Sequence, residues 1–378
     1  MRIAFVYDAL YPETKGGVER RVWELARRLT EKGHEVELLV PKLWEGPPVA
    51  IREGVVLRSV SPGMRLYRRS GRRAVWPSLR HAWGVYRLLQ KEHYGIVDCQ
   101  IPAHPACLAC RVALRSTTGG HQVVTWHEAW GRYWSEEYGI SGHVGAWIER
   151  RVARLPVEHL AVSNDTARAM RDIGISPKVI IEAGVDWEAI AEVAPRSIAD
   201  VVFVGRLIPS KNLELLLDAV RLLGEVGDRV SVCVVGDGPS RNVLERRAAE
   251  LGLGGHVDFV GEIPDWRSVV AIVKGAKLLA SPSLREGFGL VALESFACGT
   301  PVVTVNHPRN AVRELVEHGR TGLVVAPLAK ELAEGIETIL EDDRLRAQMG
   351  EAATMTAREA TWQKAALDTM KAYTTVET

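Results

Sequence analysis

Short apolar runs rich in β-branched residues alternate with stretches of helical period along the whole chain. In the first half, Ile3–Tyr7, Val36–Val40, Ile96–Cys99, Val123–Trp126 and His159–Val162 read as strands, and Val18–Glu31 reads as a helix between the first two. Strand, helix, strand in that order is the signature of a parallel sheet with crossover helices. After Asp186 the pattern lapses through Ala194, Pro195 and Arg196, and a second series opens at Val201–Val204. It continues with strands at Val230–Val235, Val257–Val260, Leu278–Ala280 and Val302–Val305, and with helices from Leu213, Arg241 and Phe288. The pattern predicts an α/β protein of two tandem, Rossmann-like, doubly wound domains, over residues 1–195 and 196–358. Trp362, Ala366, Met370 and Tyr373 then recur every three or four residues. Residues 359–378 are therefore expected to form an amphipathic helix that packs back on the first domain.

The chain has 378 residues, enough for two cores. Its 47% hydrophobic and 25% charged content is that of an ordinary globular protein, without the run of about 18 apolar residues that a membrane span needs. The run Ile3–Tyr7 is cut off by Asp8 and Pro12, too short for a signal-peptide core, so a cytoplasmic location is expected. Five cysteines, an odd number, argue for reduced thiols. His104, Cys107 and Cys110 lie close in sequence but lack a fourth ligand, so packing is expected there and no metal.

The net charge of +1 conceals one concentration. Between Met64 and Glu92 stand Arg65, Arg68, Arg69, Arg72, Arg73, Arg80, Arg87 and Lys91 with no acid among them, interleaved with Tyr67, Trp76, Trp83 and Tyr86. Cations mixed with aromatic rings suit an anionic membrane surface, which makes residues 64–91 a candidate for peripheral docking at the cytoplasmic membrane face. A solvated basic helix is the plainer alternative. Nothing else in the chain resembles a nucleic-acid-binding fold.

Ligands of doubly wound sheets bind beyond the carboxyl ends of the strands, so the loops after strands are where chemistry is expected. The G-x-G-x-x-G of a dinucleotide site is missing: Tyr7–Val18 reads YDALYPETKGGV, and Gly236-Asp237-Gly238-Pro239 lacks the third glycine. Gly16 and Gly17 open the first helix, whose positive end and free amides suit a phosphate, although a plain glycine turn would look the same. Arg206 and Lys211 follow the strand Val201–Val204. A forked guanidinium and a point charge at a strand end suit a diphosphate; the alternative is a pair of solvated surface cations. Glu286 and Glu294 are eight apart, one in a loop and one on the apolar helix that follows and ends at Gly299-Thr300-Pro301. A carboxylate there needs a partner, either sugar hydroxyls or a structural ion pair.

In these residues the chain resembles the family 4 glycosyltransferases, retaining enzymes of the GT-B fold, in which two Rossmann-like domains face a cleft. The matches run in order over nearly the whole length: GGVE-x-x-V at Gly16–Val22, GRL-x-x-x-KN at Gly205–Asn212, the GDGP turn, and E-x7-E at Glu286–Glu294. The resemblance implies transfer of a sugar from a UDP- or GDP-type nucleoside-diphosphate sugar to a lipid-linked acceptor or growing glycan. The first domain would bind the acceptor and the second the donor, with no metal or other cofactor. Arg206 and Lys211 would hold the diphosphate, helped by amides near Gly17 and Leu290, and Glu294 would bind the ribose. Glu286, with the amides of Phe288 and Gly289, would grip the transferred sugar, His127 would sit by the anomeric centre, and the base would rest near Glu262 and Ile263. A leaving-phosphate oxygen would take the acceptor's proton, so no carboxylate nucleophile is needed. His127 equally fits a structural role, and Glu128, Trp130, Tyr133 and Trp134 fit either an acceptor platform or core. Other GT-B activities, a sugar phosphate synthase or a nucleotide-sugar epimerase, and a non-catalytic sugar-nucleotide-binding protein are the competing readings.

Overall fold

Parallel strands that are apolar on both faces must be covered on both, and helices do this in each half of the chain. The computed structural model describes residues 1–63, 74–116, 120–226 and 230–377. The chain divides into two units, Met1–Ala183 with Trp362–Thr378, and Gly184–Thr361. In the first unit the elements are β1 (Arg2–Val6), α1 (Gly17–Glu31), β2 (Glu35–Lys42), β3 (Val49–Arg52), β4 (Val55–Pro62), α2 (Val75–Leu89), β5 (Ile96–Ile101) and α3 (His104–Arg115). They continue with β6 (His121–Trp126), α4 (Tyr133–Tyr138), α5 (Gly142–Ala153), β7 (Glu158–Ala161), α6 (Asn164–Asp172) and β8 (Val179–Ile180). The sheet order is β3-β4-β2-β1-β5-β6-β7-β8, parallel throughout except for the antiparallel pair β3–β4. The direction of progression reverses between β1 and β5, the switch point at which such sheets open a crevice.

The second unit runs α7 (Trp187–Ala191), β9 (Val201–Val204), α8 (Leu213–Val226), β10 (Val232–Val235), α9 (Arg241–Glu250), β11 (Val257–Gly261), α10 (Trp266–Gly275) and β12 (Leu278–Ser281). There follow β13 (Arg285–Glu286), α11 (Leu290–Ala297), β14 (Val302–Val305), β15 (Arg309–Asn310), α12 (Val312–Leu315), β16 (Gly322–Val325), α13 (Ala329–Glu341) and α14 (Asp343–Glu359). Its six-stranded parallel sheet has the order β11-β10-β9-β12-β14-β16, which puts the switch point between β9 and β12. Apolar clusters cover both sides of this sheet, one around Leu216, Leu217 and Ile336 and the other around Ile190, Leu293 and Phe296.

The boundary lies at Ala183/Gly184 and not near residue 195. Residues after Asp186 lack strand character but belong to the second core: Val185, Ile190 and Val193 are buried in it. The Lys274 ammonium also donates to the carbonyls of Ile190, Ala191 and Val193 at 2.8–3.2 Å. The last helix, α15 (Trp362–Glu377), is part of the first unit, where it packs against α1. Its fully buried Tyr373 donates a 2.6 Å hydrogen bond to Asp98 on β5. Among the described residues no helix is long and apolar enough to cross a membrane.

Candidate active site

The loops after β9 and β12 meet at the switch point of the second sheet. The first is shaped by close backbone packing: Gly205 N–H donates to Val235 O at 3.0 Å and Leu207 N–H to Asp237 O at 2.9 Å. A side chain at Gly236, where φ is +135°, would strike the Gly205 carbonyl, and one at Gly238 would strike that of Leu207. The GDGP turn is thus a backing plate for the loop that carries Arg206. A 3₁₀ turn at Pro209–Lys211, closed by Asn212 in the left-handed region (φ +52°), then turns Lys211 inward before α8 begins.

The second loop is tied to the first where Leu284 N–H donates to Ser210 O at 2.9 Å. Glu286 is held by the β13–β15 pairing and by Ala311 N–H on its carbonyl at 3.1 Å. Buried Asn310 fixes β15 in turn, donating to Thr304 Oγ1 and Val305 O. The result brings the side chains of Lys211 and Glu286, 75 residues apart in sequence, into an ion pair. Ser283 Oγ donates to the same Oε1 at 3.1 Å. Both members of the pair keep about a fifth of their side-chain surface exposed, 20% and 18%. The pair is therefore open to a ligand while sheltered from full solvent screening.

Helix α11 begins at Leu290, not Phe288, because Gly289 caps it in the left-handed region (φ +93°). A β-carbon at Gly289 would collide with Val312 Cγ2. Glu294 lies just over one turn into this helix, half-buried, where the Trp266 indole donates to its Oε1 at 3.3 Å. That bond brings Glu294 toward the loop after β11, which carries exposed Glu262 and half-buried Ile263. Ser283, Trp266 and Asn310 went unnoticed in the sequence, since serine and asparagine in loops are commonplace and Trp266 reads as core.

In the first unit His127 is buried one residue beyond β6. Its Nε2 lies 2.9 Å from Gln100 Oε1, so Nε2 carries the proton, and Thr166 Oγ1 donates to its carbonyl at 3.2 Å. Burial, with the Arg21 guanidinium adding to it, pushes the imidazole pKa well below its usual value, so it is neutral at physiological pH. Gly16 caps α1 with extended backbone (φ −176°), and a β-carbon there would clash with the carboxylate of buried Glu19. Beside Gly17, by contrast, nothing lies within 4 Å of where a β-carbon would stand. The carboxylate of Glu19, not a vacant amide nest, thus occupies the Gly16 side of this turn.

A buried polar network lies behind His127. Asp98 accepts from Tyr373 at 2.6 Å and from Thr125 at 2.9 Å; burial raises its pKa to about 6 against these donors. Burial also lowers Arg21 to about 10, opposed by Asp98 and Tyr373. The residues after His127 form one aromatic cluster: Trp130 lies 4.6 Å from Trp134 and 5.0 Å from Tyr133, ring centre to ring centre. Glu149 of α5 anchors that loop from within, accepting the amides of Trp130 and Gly131 at 2.8 and 2.7 Å. Cys99, Cys107 and Cys110 are buried. Among the described residues no group of His, Cys, Asp and Glu is arranged to hold a metal ion. Of the basic segment, Met64–Arg73 lie outside the described residues.

Residues 15–189 match the family model for Glycosyltransferase Family 4, and residues 188–356 match that for glycosyl transferases group 1. A phosphatidyl-myo-inositol mannosyltransferase of Mycobacterium leprae is 29% identical over 100% of this chain and 98% of its own length. A GDP-mannose-dependent α-(1-6)-phosphatidylinositol dimannoside mannosyltransferase of Mycobacterium tuberculosis is 28% identical over 97% and 94%. Among solved structures, sucrose-phosphate synthase from Thermosynechococcus elongatus superposes with a TM-score of 0.84 at 21% identity, covering 99% of this chain and 98% of that one. Anabaena HepE, solved with UDP and glucose, gives 0.74 at 20% identity, covering 99% and 100%. With both halves matched in order and the fold shared along its length, the chain belongs to the family 4 glycosyltransferases and is a glycosyltransferase of the GT-B fold.

Proposed function

We propose that the enzyme transfers a hexose from a nucleoside-diphosphate sugar of UDP or GDP type to a lipid-linked acceptor or growing glycan, retaining the anomeric configuration and using no metal. The observation that carries this reading is the Lys211–Glu286 pair at the switch point of the second sheet. A diphosphate leaving group develops negative charge as the glycosidic bond breaks, and a preorganised cation stabilises it. A carboxylate beside that cation is an acceptor for sugar hydroxyls. In the retaining step the acceptor oxygen bonds to the anomeric carbon on the face from which the phosphate oxygen departs, and that phosphate oxygen takes the acceptor's proton. Lys211 and Arg206 then meet the charge that a divalent ion would otherwise meet, while amides near Leu290 assist. Glu294 is the ribose partner and the loop at Glu262–Ile263 the base's neighbour. Neutral His127 serves as a hydrogen-bonding group and not as a cation. At the first helix, Gly17 is better placed than Gly16 to face a ligand.

Relatives support these choices of donor and acceptor: one is a GDP-mannose-dependent phosphatidylinositol dimannoside mannosyltransferase, and another was solved with UDP and glucose. A lipid-linked acceptor would call for contact with an anionic membrane, with residues 74–91 the described part of the segment expected to make it. The test is a thermal-shift screen against uridine, guanosine, adenosine and thymidine diphosphates and their sugars, followed by NMR of the transfer product. A shift of several degrees with one uridine or guanosine nucleotide, lost in Lys211→Ala, together with a product of the donor's anomeric configuration, is expected. An inverted product, or activity abolished by chelators and restored by a divalent ion, would overturn the corresponding part.

A further inference from the structure

Helix α2 lies on the crossover from β4 to β5, so it runs from the carboxyl edge of the first sheet back to its amino edge. It crosses β4 in contact, since a β-carbon at Gly84 would strike the Val60 carbonyl. Its core face is Ser78, His81, Ala82, Val85 and Leu89, all buried. The stripe beside that face is different in kind. Trp76, Arg80, Trp83, Arg87 and Lys91 follow one another at steps of three or four residues, all of them exposed, Trp76 at 69% and Trp83 at 62%. With residues 59–62 at the end of β4, they line a cavity of about 680 Å³ whose wall contains no acid. This groove starts at the edge of the sheet where His127 follows β6, because β4 and β6 point the same way. It then runs along α2 toward Lys91 at the opposite edge.

The spacing selects an occupant. Trp76 and Trp83 are seven residues apart, as are Arg80 and Arg87, so each pair recurs after two turns, about 10 Å along the helix. Indole faces take the C–H faces of pyranose rings, guanidinium forks take carboxylates, and serine hydroxyls such as that of Ser59 exchange hydrogen bonds with sugar hydroxyls. A disaccharide of one neutral and one acidic sugar spans that interval, offering a ring to each indole and a carboxylate to each guanidinium. A flat bilayer surface does not follow a concave wall down to β4. A second copy of the groove would set cations against cations. A single-stranded nucleic acid carries a phosphate on every unit, more closely spaced than these guanidinium groups. We propose that the groove between β4 and α2 is an extended subsite for an acidic glycan, with Trp76 and Trp83 as ring platforms and Arg80, Arg87 and Lys91 as carboxylate partners. It rests on the growing-glycan half of the proposed function. A chain whose acceptor end lies at the carboxyl edge of the sheet trails along α2, and this second contact holds it between transfers.

The experiment is calorimetric titration of the full chain, without donor, with a hyaluronan octasaccharide, which alternates uronate and neutral sugar, and with uncharged maltooctaose. Binding of the acidic chain alone is expected, weakened by salt. Trp83→Ala should weaken it about tenfold or more. Arg87→Gln should weaken it about fivefold. Arg115→Gln, at an exposed cation on α3 outside the groove, should leave it unchanged. All three side chains are exposed, so the variants should melt as the wild type does. Equal or negligible binding of the two sugars, wild-type binding by Trp83→Ala and Arg87→Gln, or a loss in Arg115→Gln as large as in Arg87→Gln would overturn the proposal. So would tighter binding of single-stranded DNA or of phosphatidylglycerol vesicles than of the glycan, lost in the same groove variants. Failure of the growing-glycan reading would show separately, as intact binding of the acidic glycan with transfer only to lipid acceptors.

Discussion

Removing Lys211 decides whether the cation at the second switch point serves the diphosphate or merely neutralises Glu286. Two unit charges about 4 Å apart at an effective dielectric near 20 attract by about 4 kcal/mol, most of it offset by desolvation of both groups. With about a fifth of each side chain exposed, a net cost to folding of ~1–2 kcal/mol is expected for Lys211→Ala. In a unit of this size that lowers its Tm by about 2–8 °C. The catalytic loss should be larger, because a preorganised partner of a developing oxyanion contributes ~3–4 kcal/mol, or about 10²–10³-fold in kcat. Glu286→Gln keeps the shape and the Ser283 bond while removing the charge that the lysine balances. If Lys211 were only a counter-ion, the double variant would recover activity relative to Lys211→Ala. Should it grip phosphate, the double variant will be worse than either single one. The assay is steady-state transfer on the four proteins, with melting curves to confirm folding. A folded Lys211→Ala within tenfold of wild-type kcat/KM, or recovery in the double variant, would refute the reasoning.

Tyr373→Phe removes a donor to a buried carboxylate and should destabilise the first unit by ~2 kcal/mol at pH 8, a drop of about 4–8 °C, and by less at pH 5. The direction follows from Asp98, whose folded value of about 6 lies above the ordinary 3.8: its contribution to stability is complete below pH 3.8 and lost as the pH rises through 6, where the carboxylate depends on its donors. Melting across that range checks both statements. For His127, kcat should show no inflection near pH 6.5 in the wild type, whereas Gln100→Glu, placing a carboxylate beside Nε2, should raise the imidazole pKa and introduce one. Gly289→Ala should cost more than ~2 kcal/mol, from the left-handed backbone and the clash with Val312, and Val312→Ala should restore only the part due to the clash; denaturant titration measures both.

Elements buried on both faces were legible from the sequence alone. Val201–Val204 and Val302–Val305 are strands with those limits, since a run of β-branched residues in a parallel sheet has little other reading. The pair β3–β4 escaped notice because it lies at the sheet edge, where β3 is half exposed, and because its two-residue turn is Glu53-Gly54, both at positive φ. That turn normally announces itself with Asn or Asp in the first position. Residues 184–195 read as the end of the first domain because a short helix after a lapse in pattern has no period long enough to recognise, though Val185 and Ile190 are core of the second unit. The glutamates at 286 and 294 were visible through their spacing. The pairings were not: Lys211, itself marked by its place after a strand, and Trp266 come near them only through strand order and loop packing.

The two sheets share one plan and use it with opposite electrostatics. After setting aside the edge strands β3 and β8, both follow the same winding, with a reversal between the first strand and the fourth. At that place the second unit presents charges that remain partly solvated, and such charges can exchange partners with a diphosphate and a sugar at modest cost. In the first unit the charges are buried: Arg21 and Asp98 lie out of water, and His127 is held neutral beside them. Buried charges are expensive to rearrange, so this network suits a fixed frame better than an exchanging site. What it fixes is specific. Tyr373, 275 residues from Asp98, ties the last helix of the chain to the central strand β5, whose next-but-one residue, Gln100, sets the tautomer of His127. Loss of the C-terminal helix should therefore be felt at His127 before it is felt at Lys211.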